Sequence, residues 1–187
     1  MVTQVRPVQG GFLRPFGTAW FITEFLKGKG PEESTKIDPS VGAPMCDICA
    51  EYKSALHRVH ARDAVELEVE RRIRTGGTVY TEAEYADRLK YYLSRIAYKL
   101  LKMRYSSFTR YFGHLKRLGW VEETGKTEPS AIQDSYPPGP PRVYYRLTAA
   151  GWEAPVVAVS NPVRALYPQF DSAYARTKRK ARQYARY

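Results

Sequence analysis

The chain has 187 residues, 43% of them hydrophobic, and its 30 Lys and Arg against 19 Asp and Glu give a formal net charge of +11. That length accommodates one domain with extensions or two small ones, and that hydrophobic content supports a packed core, which excludes global disorder. The charge says nothing of fold; it favours a polyanionic partner, nucleic acid ahead of an anionic membrane surface.

No stretch approaches the ~18 to 20 apolar residues of a membrane span, and the opening MVTQVRPVQGGFLRPFG lacks the apolar centre of a secretory signal. The expectation is therefore a cytoplasmic, nucleoid-associated protein with no membrane partner. Fifteen tyrosines against seven phenylalanines suit half-buried faces, because each ring carries a hydroxyl that can reach water or phosphate.

Residues 1–45 are punctuated by glycine and proline and read as an extended arm that lies on the rest of the protein or on a partner. Its one apolar island, GTAWFITEFLKG, fits a strand or a short helix. Residues 46–77 hold a Cys/His segment and a long helix, SALHRVHARDAVELEVERRIR, starting near Lys53 or Ser54. Leu56, Val59, Ala64, Leu67 and Ile73 mark its apolar side, and Thr75-Gly76-Gly77 ends it. From 78 to 153 the pattern is helical, then β. Thr81 and Glu84 form a capping box for a helix through YADRLKYYL. Ser94 would cap a second helix, SRIAYKLLKM, and Ser106 or Ser107 a third, SFTRYFGHLKRL, closed by Gly119. WVEETGKT and RVYYRLT are strand-like, and the proline-rich stretch between them is a loop, so the pair makes a β-hairpin. TAAGWE adds a last turn. Residues 154–187 hold a proline-broken segment and a basic tail. The fold class expected is mainly α with a small antiparallel β-hairpin (α+β).

The segment MCDICAEYKSALHRVH gathers both cysteines and two of the three histidines: Cys46, Cys49, His57 and His60. Four N/S ligands are what a structural zinc needs, and a knuckle could fold back onto a helix beginning at Ser54. A helix already running at Cys49 would instead carry His57 about 12 Å along its axis and prevent convergence. Two buried thiols with two surface histidines, and a redox C-x-x-C, are the other readings of the same residues.

On a helix, Phe108, Phe112 and Leu115 form one apolar stripe with Tyr111 and Leu118 beside it. The opposite side carries Ser107, Arg110, His114 and Arg117, flanked by Thr109, Gly113 and Lys116, with no acid. Such a face can enter a major groove, where arginine forks pair with guanine edges or phosphate; it can equally be an ordinary solvated face. The tail YARTKRKARQYARY adds Arg176, Lys178, Arg179, Lys180, Arg182 and Arg186, a phosphate clamp that cannot distinguish DNA from RNA.

The stretches SRIAYKLLKMRYSSFTRYFGHLKRLGWVE and RVYYRLTAAGWE, in the order helix, turn, helix, hairpin, resemble the winged helix-turn-helix DNA-binding domains of MarR- and PadR-like regulators. Leu115, Gly119, Trp120 and Val121 match the end of the third helix in such domains, and YYRLTAAG matches the returning wing strand. The resemblance covers residues 78–153, and the turn before the third helix lacks the usual glycine. It implies a winged-helix core; the Cys/His segment adds a helical, zinc-knuckle-like region ahead of it, and composition adds extended arms. It implies that Ser106, Ser107, Thr109, Arg110, His114 and Arg117 face bases and flanking phosphates. Arg104 and Lys116 would contact the backbone, and Lys126 and Arg142 would carry the wing to a minor groove or phosphate. Asn161-Pro162 and Pro168 interrupt the segment where these regulators dimerise, so a homodimer, which the sequence does not indicate, would have to form through the N-terminal half.

No phosphate loop, nucleotide-binding glycine motif or nucleophile elbow is present, so no enzyme is expected. Beyond a structural zinc, no cofactor is expected. The sequence thus reads as a duplex-DNA-binding regulator, with a basic structural subunit of a nucleoprotein or larger assembly as the alternative.

Overall fold

The computed structural model describes residues 16–31, 34–96, 104–130 and 139–170. The molecule is mainly helical with a small three-stranded antiparallel sheet. The island GTAWFITEFLKG is a helix, α1 (Thr18–Leu26), buried on nearly every side. A helix apolar all round belongs at the centre of a fold, and α1 packs against α2, α4 and β3. Its polar groups are satisfied internally: the Thr18 hydroxyl donates to the Tyr52 hydroxyl (3.2 Å) and Thr23 to the Ala19 carbonyl (2.9 Å).

A two-residue strand, β1 (Ala43–Pro44), leads directly into α2 (Met45–Arg74). The long helix therefore starts at Met45, not near Lys53 or Ser54. Pro44 is its N-cap, with extended φ and ψ, and a proline is tolerated no further in than the first turn. The first half of α2 enters the core through Ile48, Cys49, Tyr52, Ala55, Leu56 and Val59. The second half leaves it and pairs with α3 (Glu82–Arg95). Thr75-Gly76-Gly77 ends α2 as expected: the Gly76 and Gly77 amides donate to the Ile73 and Arg72 carbonyls at 3.0 and 2.9 Å, with Gly76 at φ +84°, the hydrogen-bond pattern of a Schellman C-cap. The Thr81–Glu84 capping box is present in both directions. Ser94 lies inside α3 and donates to the Tyr91 carbonyl, so it caps nothing. Most of SRIAYKLLKM lies outside the described residues.

Next comes α4 (Tyr105–Arg117), with Arg104 as N-cap in place of Ser106 or Ser107, and no side chain caps it. Gly119, at φ +68°, closes it: its amide and that of Trp120 donate to Lys116 and Leu115. The chain then forms β2 (Val121–Glu128) and β3 (Arg142–Leu147), the antiparallel pair read from the sequence, in register from Val121↔Leu147 to Glu128↔Arg142 across a bulge. β1 adds to the far side of β3, giving the order β1-β3-β2. Gly42 permits that approach, since a Cβ there would lie 2.0 Å from the Tyr145 carbonyl oxygen.

Thr148 caps α5 (Ala149–Glu153) and donates to the Gly119 carbonyl at 2.6 Å, tying the end of the hairpin to the end of α4. Asn161-Pro162 does break the C-terminal segment, which forms α6 (Val156–Ser160) and α7 (Pro162–Leu166) ahead of a 3-10 turn at Pro168–Phe170. α6 packs on α1, and α7 packs on α4.

A chain of rings, Phe16, Phe21, Tyr52, Phe108, Phe112 and Tyr145, runs through the centre with neighbouring centroids 4.8 to 6.3 Å apart. It joins α1, α2, α4 and β3, so one core crosses the segment boundaries expected from composition. The described residues of the N-terminal segment contribute to this core.

Candidate nucleic-acid interface

α4 turns Phe108, Phe112 and Leu115 into the core, as its apolar stripe predicts. Directly opposite lie Ser106, Arg110, Gly113 and Arg117, at i, i+4, i+7 and i+11; Ser106, Arg110 and Arg117 are exposed. This stripe is rotated from the expected one, Ser107, Arg110, His114 and Arg117, because α7 covers one flank of α4. Arg104 and Arg110 are exposed and make no ion pair among the described residues. Ser107 and Thr109 are half-buried, and Thr109 donates to the Ser106 carbonyl at 3.0 Å.

His114 does not face outward. It is 8% exposed, edge-on to Tyr111, and Arg117 Nη2 lies 2.6 Å from its Nδ1. A guanidinium only donates, so Nδ1 holds a lone pair and the ring's proton sits on Nε2. Burial, then the charges of Arg117 and Arg110, lower its pKa. His114 is thus a neutral packing group, turned away from any base edge that α4 could meet. Arg117 is exposed at its edge but folds back: Nη1 donates to the Tyr167 hydroxyl at 3.1 Å.

The hairpin is not a free cationic wing. Its described charges balance, with Glu122, Glu123 and Glu128 against Lys126, Arg142 and Arg146. Arg146 pairs with Glu122 at 2.9 Å and Lys126 with Glu128 at 3.5 Å. Lys126 also sits 4.0 Å over the Tyr144 ring. Arg142 pairs with Asp47 at the start of α2 and lies 3.8 Å from Glu128. Its pKa is raised first by contact with the Cys46 sulfur and then by the Asp47 charge. Lys116, expected on the DNA backbone, bonds Glu123 at 2.8 Å and lies 4.9 Å over Tyr145, at the joint of helix and hairpin. Lys116, Lys126 and Arg142 are therefore brought together as braces of the sheet. Asp47, the partner that holds Arg142, is unremarkable in the sequence; its place between two cysteines was the signal available.

Cys46, Cys49, His57 and His60 all lie on α2, which continues unbroken from one pair to the other. At about 1.5 Å per residue the four span about 21 Å, so they do not meet around one ion. Among the described residues no group of three or more His, Cys, Asp or Glu is placed to hold a metal. Cys46 is exposed, Cys49 is buried, and His57 Nε2 is buried without a hydrogen-bond partner. Arg176, Lys178, Arg179, Lys180 and Arg182 lie outside the described residues.

No helix of the described residues is long and apolar enough to cross a membrane. No protein family, curated protein or solved structure matches the chain.

Proposed function

We propose that the protein binds duplex DNA as a winged-helix regulator, with the outer face of α4 as its reading surface. The observation that carries this is the stripe Ser106, Arg110, Gly113, Arg117: it lies opposite the core, contains no acid, and includes an arginine without an ion pair among the described residues. Arg104 stands at the N-terminus of the same helix, where open backbone amides favour phosphate. The succession of α4 and an antiparallel hairpin, with Gly119 and Thr148 locking one to the other, supports the winged-helix reading. The hairpin serves here to brace α4, since its cations are already paired. The basic tail would add sequence-independent phosphate contacts, each steepening the log–log salt dependence by about 0.9.

The test is duplex binding across many sequences during a salt titration. A regulator should prefer its site over random DNA by ~10³ or more, and Arg110→Ala should cost about 1 to 3 kcal/mol on that site. Equal binding of wild type and Arg110→Ala on every duplex overturns the reading.

A second reading, a structural subunit of a nucleoprotein or larger assembly, is favoured by one surface. Trp152 on α5 and Val156 and Val157 on α6 are 43%, 60% and 77% exposed, an apolar cluster of the kind that docks proteins. That reading predicts little discrimination among duplexes.

A further inference from the structure

We propose that Cys46 and Cys49 form a redox-active dithiol that accepts a low-molecular-weight disulfide, with Cys46 attacking and Cys49 resolving, and that its oxidation releases Arg142 from the clasp holding β3 to α2. The proposal stands independently of DNA binding.

The two sulfurs have unlike surroundings. Cys46 is exposed, in the second position of α2, where first-turn amides have no intrahelical partner and the helix end is positive. Its thiol donates to the Asp47 carboxylate at 3.4 Å, the same carboxylate that holds Arg142. An exposed thiol in the first turn of a helix is open to solvent reagents. Cys49, three residues on, is 2% exposed, and burial pushes its pKa up. It stays protonated and closed to solvent reagents, within reach only of a sulfur on the neighbouring turn.

The spacing suits a bridge at this one place in a helix. Residues three apart rise about 4.5 Å along the axis, bringing their Cα atoms within the ~4.4 to 6.8 Å that disulfides span. Their Cβ atoms, about 5 to 6 Å apart on a helix, must close to about 3.8 Å. Mid-helix, that would break backbone hydrogen bonds. In the first turn the amides of Cys46 and Asp47 have none to lose.

The chemistry balances with a disulfide such as oxidised glutathione. Cys46, losing its proton to solvent, attacks one glutathione sulfur; the glutathione S–S bond breaks and one glutathione leaves as thiol. Cys49 then attacks the Cys46 sulfur, losing its proton to the second departing glutathione. Both cysteines are oxidised, and one disulfide is reduced to two thiols.

The mechanical consequence comes through Asp47. It lies between the cysteines and holds Arg142 of β3, beside the Ala43↔Tyr145 and Pro44↔Tyr144 pairing of β1 with β3. Turning Cys46 inward rotates the turn that carries Asp47. Arg142, whose Nε is already buried without a partner, then leaves Asp47 and keeps Glu128, 3.8 Å away on its own hairpin.

The full-length protein is titrated with oxidised glutathione, remaining thiols are alkylated after denaturation, and the products are weighed by mass spectrometry. Wild type should lose both alkylatable thiols and retain no glutathione. Cys49→Ser, or Cys49→Ala should the serine fail to fold, should retain one glutathione per chain. Cys46→Ser should react about tenfold more slowly or less. Glutathione retained equally by wild type and Cys49→Ser, Cys46→Ser reacting as fast as wild type, or one equivalent of zinc held by both thiols of the purified protein overturns the proposal. For the clasp, amide exchange at Tyr144 and Tyr145 should quicken on oxidation, and Asp47→Asn should quicken it in the reduced protein. Exchange unchanged by oxidation overturns the release of Arg142.

Discussion

In the first half of α2, Ile48, Cys49, Tyr52, Leu56 and Val59 are at most 4% exposed; in the second half Leu67 and Ile73 are 53% and 50% exposed. The helix is continuous, and both halves carry large apolar residues. The difference lies in what stands opposite. α2 shares one core with α1, α4 and the sheet as far as Val59, and beyond that α3 is its companion. α3 buries no side chain fully. The arm made by the second half of α2 and α3 is held mainly by charge and capping. Arg88 grips Glu68 through two hydrogen bonds of 2.9 and 2.6 Å, and Arg72 lies 4.8 Å over Tyr80. Each helix runs acidic to basic, Asp63–Glu70 before Arg71–Arg74 and Glu82–Asp87 before Arg88–Arg95. That order suits its own macrodipole and, in an antiparallel hairpin, sets opposite charges face to face. Burial therefore stabilises one half of the molecule, and local hydrogen bonds and ion pairs order the other.

The sharpest way to break that contrast is a matched pair of truncations. Phe108→Ala removes a fully buried ring from the aromatic chain and should cost about 3 to 5 kcal/mol of global stability. Leu67→Ala, in the arm, should change it by no more than about 0.5 kcal/mol. Equal losses in chemical denaturation would show that the arm is also part of the core.

A smaller effect should be confined to the arm. Thr81→Ala removes the hydroxyl that accepts from the Glu84 amide and should cost about 1 kcal/mol. It should appear as faster amide exchange along α3 while α1 and α4 keep their protection. Equal loss of protection in α1 would join the two regions into one cooperative unit.

The smallest effect belongs to the core side and concerns the sign of a pH dependence. The folded pKa of His114 lies below the unfolded value of about 6.5, chiefly through burial. The unfolded chain binds the proton more readily, so the contribution of neutral His114 is complete above that unfolded value. It is lost as pH falls through it toward the folded pKa. His114→Asn should flatten the denaturation midpoint across that acidic window, and an unchanged slope would place the titration elsewhere.

Much of the local design was legible in the chain. Thr81 with Glu84, Gly76-Gly77 and Gly119 set helix ends through hydrogen bonds that close within a few residues. The β2–β3 pair was legible from its β-branched and aromatic content, and the break at Asn161-Pro162 from a missing amide. The site was legible in part: the apolar side of α4 was correctly placed, but the outer stripe was misjudged at His114. Helical periodicity fixes which residues share a face. It cannot say that α7 will return to cover one flank.

By itself, then, the sequence determined helix ends, the strand pair, the apolar stripe of α4 and a large positive charge, because each depends on neighbours within one or two turns or on composition alone. The tertiary structure decided where α2 begins, which cations remain free and which thiol is exposed. Those outcomes depend on groups far apart in the chain, as Asp47 and Arg142 are, 95 residues from one another. Which distant groups meet is settled by how the core packs, and no local pattern encodes it.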